Sequence, residues 1–159
     1  TLIIFITLSF DNPQLIPFVV GLASLLNWNW NLAKTFMGDS GSTFIGAIFF
    51  SEIINSGSIK EYFLKMILFT PILLDAITCL LRRFKNGYNI FQSHKMHLAQ
   101  RLHISGWSHS QVSILYAFFT TILCLEYKFT GSKTLLITCI FIFIIGYFLD
   151  KKVASPFAK

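Results

Sequence analysis

An acidic residue stands between glycines at Gly38-Asp39-Ser40-Gly41-Ser42, at the mouth of a long apolar run. Glycine permits backbone conformations that a Cβ forbids, and a serine such as Ser40 or Ser42 is expected to cap the helix that follows. The free N–H groups of a helix start attract phosphate. A carboxylate beside them suits a hard cation such as Mg²⁺, which commonly bridges carboxylates and substrate phosphates. On spacing alone, a plain capping role for Asp39 fits equally well.

Two further stretches carry ionisable groups in unusual company. In "FTPILLDAITCLLRRF", residues 69–84, Asp75 lies seven residues before Arg82, about 10 Å below the end of a helix that rises 1.5 Å per residue. A carboxylate at such depth costs about 2.5–3.5 kcal/mol on insertion scales, so it is expected to face a cavity or a partner. Pro71 is expected to kink this span. Arg82 falls on the same helix face as Asp75, and a structural Asp–Arg or Asp–Lys pair inside the bundle is the alternative. In "NIFQSHKMHLAQRLHISGWSHSQV", residues 89–112, a helix over 93–103 would align His94, His97 and Arg101 on one face. That basic, aromatic-flanked face suits phosphate or pyrophosphate. A zinc site fails for want of further ligands, and binding of anionic lipid head groups is the alternative. "GDSGS" is neither a serine-protease motif, since no His and Asp are placed for that fold, nor a G-x-S-x-G elbow or a phosphate-binding P-loop.

The elements that must position these groups are membrane spans. The chain is 159 residues long, 54% hydrophobic and only 13% charged, against roughly 25% charged residues in soluble domains. The fold class expected is all-α, a polytopic bundle of about five to six transmembrane helices. The apolar stretches are 2–10, 14–28, 42–56, 61–81, 110–127 and 133–149, with the turn "DNP" at 11–13 between the first two. Placing 29–41, 82–109 and the tail after Asp150 on one side puts nine basic residues there (Lys34, Arg82, Arg83, Lys85, Lys95, Arg101, Lys151, Lys152, Lys159). Four remain on the other side (Lys60, Lys65, Lys128, Lys133). The positive-inside rule makes the first side cytoplasmic, and all four histidines, His94, His97, His103 and His109, lie on it. The net charge of +6 is then membrane flanking, with no nucleic-acid partner implied. Cys79, Cys124 and Cys139 sit in apolar runs as small hydrophobes. The chain opens on Thr1 inside an apolar run with no basic region before it, and is expected to be part of a longer protein.

Taken together and in this order, the motifs resemble those of the polyprenyl-phosphate N-acetylhexosamine-1-phosphate transferases, glycosyltransferase family 4. This superfamily includes O-antigen and enterobacterial-antigen initiators and the phospho-MurNAc-pentapeptide translocase. "NWNWNLAKTFMGDSGSTFIGA" resembles the family's "FNxxPAKxFMGDxGS", with Asn29, Lys34, Phe36, Met37, Gly38, Asp39, Gly41 and Ser42 in register. Pro71, Asp75, Arg82 and Arg83 resemble the family's span in which proline and aspartate precede twin arginines. The histidine loop keeps His97 but has Ala99 and Gln100 where the enterobacterial-antigen branch has further histidines. It is closer to the O-antigen branch, "AHRSHLYQRL…GWSH".

The resemblance covers 1–150 as the C-terminal half of the transferase domain, with 151–159 a short basic cytoplasmic tail. The family's early acidic pair and its N-x-x-N-x-x-D-G segment would lie upstream of Thr1, so the segment alone is expected to be inactive. The resemblance implies a bacterial inner-membrane, multi-pass enzyme with a cytoplasmic active site, acting in O-antigen or cell-envelope polysaccharide synthesis. It would transfer an N-acetylated amino-sugar-1-phosphate from a UDP-sugar to undecaprenyl phosphate and release UMP. Mg²⁺ is the implied cofactor, with Mn²⁺ as a substitute, and a homodimer is compatible with the pattern. Asp39 would be catalytic as metal ligand and His97 catalytic. Asn29, Lys34, His94, Arg101, Asp75 and Arg82 would bind substrate, Asp75 as a polar lining or a support for Arg82. The rivals are a transporter-like half-bundle, since broken helices with intramembrane carboxylates occur there, and an inactive fragment lacking the upstream motifs.

Overall fold

The computed structural model describes residues 1–30, 37–89 and 96–157. All regular structure among them is helical. The helices are α1 (Leu2–Ser9), α2 (Ile16–Asn29), α3 (Gly38–Ile54), α4 (Ile59–Leu68), α5 (Thr70–Lys85), α6 (Leu98–Ile104), α7 (His109–Phe129) and α8 (Ser132–Lys152), with a 3₁₀ turn at Pro13–Leu15. Each expected apolar stretch is helical, but two helices, α7 and α8, are long and apolar enough to cross a bilayer, or three if α4 and α5 form one broken span. The expected five to six spans are therefore not reproduced by length. The 14 residues of α2 and 17 of α3 rise only about 21 and 25 Å, short of a hydrocarbon core about 30 Å thick.

α1 is the hub. Ile4, Phe5 and Leu8 are fully enclosed, and the two polar side chains of the short helix, Thr7 and Ser9, donate to its own carbonyls at Ile3 and Ile6. Phe5 meets Phe18 of α2 edge-on at 4.7 Å and Phe49 of α3 at 6.4 Å. Phe49 in turn packs on Phe69 at the α4–α5 junction, with ring centroids 3.9 Å apart. Leu123 and Cys124 of α7 and Leu135 and Ile142 of α8 complete this core. α7 and α8 form a hairpin about Gly131, whose φ of +104° only glycine adopts readily.

The span expected at 61–81 is two helices meeting at 77°. Pro71 sits in the first turn of α5, where its missing N–H costs nothing. The sequence therefore starts a new helix there, where a kink within one span was expected.

Long-range polar pairs mark two ends of the bundle. At one, Lys128 meets Asp11 (2.5 Å), Asn12 donates to Glu52 (2.8 Å), buried Lys65 donates to the Glu52 carbonyl (3.1 Å), and Thr138 donates to Glu126 (2.8 Å). At the other, α5, α6 and the end of α8 are joined through Asp75, Arg82, Arg101 and Asp150.

Candidate functional site

Asp39 lies in the first turn of α3 with an exposed side chain. The helix begins at Gly38, four residues earlier than the apolar run implied, because Gly38 takes a φ of +65° and turns the chain directly into helix. Ser40 and Ser42 are therefore inside the helix and do not cap it. The Ser42 hydroxyl donates back to the Asp39 carbonyl (2.9 Å). A first-turn carboxylate is favoured by the helix dipole. A Cβ on Gly41 would lie 2.2 Å from Met37 Cγ, so the glycine lets Met37 fold over the helix start.

Met37 and Ser42 flank Asp39 in sequence, and both line a cavity of about 530 Å³ together with Asn29, Leu22, Leu25, Leu26, Ile45 and Phe69. Its walls are mainly aliphatic. The Asn29 side-chain oxygen is buried and has no hydrogen-bond partner among the described residues. Lys34, the expected phosphate neighbour, lies outside the described residues, as does His94.

A second, separate cavity of about 90 Å³ lies between α5, α7 and α8, lined by Asp75, Thr78, Arg82, Tyr116, Tyr147 and Asp150 among mainly apolar groups. It is too small for a nucleotide sugar, since ligand pockets start near 300 Å³. Asp75 is 11% exposed. Its carboxylate accepts from the backbone N–H of Leu98 (2.7 Å) and Ala99 (3.4 Å) and from the Tyr116 hydroxyl (3.0 Å). His97 Nδ1 stands 3.6 Å away.

The expected support of Arg82 by Asp75 is thus corrected. Arg82 donates through both Nη atoms to Asp150, one at 2.6 Å, and Asp75 serves α6. The reason is tertiary: seven-residue spacing puts Asp75 and Arg82 on one face, but α6 folds back over Asp75 while α8 brings Asp150 to Arg82.

The helix expected over 93–103 starts only at Leu98. His97 is its N-cap residue, in extended conformation (ψ 148°), and its N–H donates to the Gln100 side chain (3.3 Å). His97 and Arg101 consequently do not share one helix face. His97, 35% exposed, faces Asp75. Arg101, only 5% exposed, gives Nη1 to Asp150 (2.5 Å), Nη2 to the Asp150 carbonyl (3.2 Å) and Nε to the Ser155 carbonyl (2.7 Å). Phe157 lies under both guanidinium groups, 5.8 Å from Arg82 and 5.5 Å from Arg101. The tail is therefore part of this cluster as far as Phe157. Arg83, beside Arg82, is buried and donates to the Asn89 carbonyl.

Sequence reasoning passed over Tyr116, Asp150, Ser155 and Phe157. The one available signal was Asp150, an acid at the end of an apolar run facing a basic loop.

Among the described residues no three metal-ligating side chains converge. Asp39 offers an exposed carboxylate at a helix start, which suits a cation that takes one or two protein carboxylates and fills its shell with phosphate oxygens and water.

Residues 1–57 match the family model described as glycosyl transferase family 4. The decaprenyl-phosphate N-acetylglucosaminephosphotransferase of Mycobacterium leprae (strain TN) is 31% identical over 124 residues, covering 67% of this chain and 31% of that protein. The protein of the same name from Mycobacterium tuberculosis (strain ATCC 25618 / H37Rv) is 31% identical over 121 residues, 65% of this chain and 30% of its own length. No solved structure matches the chain. The chain thus spans about a third of the length of these curated relatives. The family match falls on the segment that carries Asn29 and Asp39, and together with these curated relatives it supports the place of this apolar helical chain in the polyprenyl-phosphate N-acetylhexosamine-1-phosphate transferase superfamily.

Proposed function

We propose that the full-length protein transfers an N-acetylated amino-sugar-1-phosphate from a UDP-sugar to undecaprenyl phosphate, releasing UMP, at the cytoplasmic face of a bacterial plasma membrane. The product would start an O-antigen or related envelope polysaccharide. The observation that carries this reading is the setting of Asp39: an exposed carboxylate in the first turn of α3, between two residues that line an aliphatic cavity. One substrate is dissolved in the bilayer and the other in water, so their phosphates meet only where such a boundary exists.

In this reading the aliphatic cavity takes the first units of the prenyl chain, and Asn29, with its unpartnered oxygen, hydrogen-bonds a substrate donor. Asp39 would hold Mg²⁺, which supplies charge neutralisation at the phosphates. An oxygen of the lipid phosphate forms a bond to the sugar-bearing phosphorus, and the pyrophosphate P–O bond to UMP breaks. Phosphoryl transfer rests mainly on positioning and electrostatics. His97, Lys34 and His94 would hold the donor pyrophosphate. Arg101 and Arg82, already engaged by Asp150, would act by holding that face together. α1, α2 and α3 would be the shorter crossings of a bundle completed by the rest of the protein, giving five to six spans in this segment.

The deciding assay is UMP release by the purified full-length protein from UDP-N-acetyl amino sugars with undecaprenyl phosphate and Mg²⁺. Release that needs both the lipid phosphate and the cation supports the reading. No release with any such sugar, from protein shown to be folded, overturns it.

A further inference from the structure

We propose that Asp75 is a positioning residue for His97, acting through the first turn of α6. This deepens the function proposed above and rests on its assignment of His97 to the donor phosphates.

The side chain of Asp75 is nearly enclosed, in a cavity whose other linings are mainly apolar. A carboxylate there is costly unless its oxygens are well bonded. Its bonds go to a segment 23 and 24 residues away, the N–H groups of Leu98 and Ala99, and to Tyr116 of α7. The available cation on its own helix, Arg82, is taken by Asp150. Asp75 therefore holds backbone, and the backbone it holds begins immediately after His97. The 3.6 Å from its oxygen to His97 Nδ1 is ion-contact range rather than a hydrogen bond, so the hydrogen bonds Asp75 makes to this segment run to the chain just after His97.

α6 has seven residues and is too short to be stable alone. It is pinned near its end by Arg101, which reaches Asp150 and Ser155, and at its start by Asp75. Removing the second pin leaves the first turn, and with it the direction of the His97 ring, free to vary. The Tyr116 hydroxyl donates to Oδ2, the oxygen that also accepts from the Ala99 N–H, which ties α6 to the long helix α7 through the carboxylate.

The test uses the full-length protein in nanodiscs, with Asp75→Ala, Asp75→Asn, His97→Ala and the double variant Asp75→Ala/His97→Ala. Asparagine keeps an oxygen that can accept from the Leu98 or Ala99 N–H, so it should restore most of what alanine removes. Amide hydrogen exchange should rise at least tenfold over 98–101 in Asp75→Ala, stay unchanged in the middle of α7, and return towards wild type in Asp75→Asn. In UMP release, Asp75→Ala should lower kcat/KM for the UDP-sugar about tenfold in the wild-type background and less than twofold when His97 is already alanine. Unchanged exchange over 98–101, or activity losses that multiply in the double variant, overturns the proposal. If Asp75→Ala does not assemble, Asp75→Leu, apolar and similar in size, is read by the same two criteria. A His97→Ala variant of full activity would instead remove the donor-site assignment of His97, while the exchange result would still decide whether Asp75 holds α6.

Discussion

Among the described residues, Asp39 and His97 are the accessible side chains on which the proposed chemistry depends, and they differ in how they are held. Asp39 projects from the first turn of a 17-residue helix, so its backbone is held in regular structure and its side chain is exposed. Asp39→Asn keeps size and removes charge, leaving α3 intact. In the full-length protein it should lower Mg²⁺-dependent UMP release by about 100-fold or more, since single electrostatic contacts to a reacting group are worth roughly 10²–10³ in kcat. Near wild-type release would eliminate Asp39 as a ligand. His97 stands at a helix start with its ring partly exposed, so it adds little to packing. His97→Ala should raise the KM for the UDP-sugar, lower kcat, or both, while the unfolding midpoint moves by no more than about 0.5 kcal/mol equivalent. Unchanged kinetics would favour a lipid head group as its partner.

Among the elements, α6 shows what could be read in advance and what could not. Local signals were legible: the apolar runs became helices and Pro71 marked a discontinuity, although α3 starts at Gly38, four residues before the apolar run. Partnerships across helices were not legible. Asp75 has Arg82 on its own face by spacing, yet its bonds run to Leu98 and Tyr116. The pairing of Asp150 with Arg82 and Arg101 spans 68 and 49 residues. Such contacts are decided by which helices pack, and no local period encodes that. The clamp has a stability consequence. Arg101 is buried, so Asp150→Ala would strand its guanidinium without its carboxylate, and stranding one partner of a buried pair costs about 3–5 kcal/mol. The expected result is a clear fall in the thermal unfolding midpoint, with proteolysis rising first in 96–104 and 153–157. A midpoint shift under about 1 kcal/mol equivalent would mean that solvent already screens the pair.

At the scale of the whole molecule, the two polar ends make the orientation testable. On the proposed orientation nine basic residues fall on one side and four on the other, and by the positive-inside rule α6, the α5 C-terminus and the tail are expected in the cytoplasm. Asn86 caps α5 at the Arg82–Asp150 end and is exposed. Asn55 caps α3 beside Glu52 at the Lys65 end and is also exposed. The two positions therefore lie at opposite ends of the bundle, and both are exposed. Cys79, Cys124 and Cys139 are buried or half-buried, so they should react slowly with a charged, impermeant maleimide. In intact cells expressing the full-length protein, a cysteine at position 55 should label from outside, and one at position 86 only after permeabilisation. Labelling of 86 but not 55 from outside would invert the topology. It would also move Asp39 and His97 away from the compartment that supplies UDP-sugars, and so remove the proposed reaction along with the orientation.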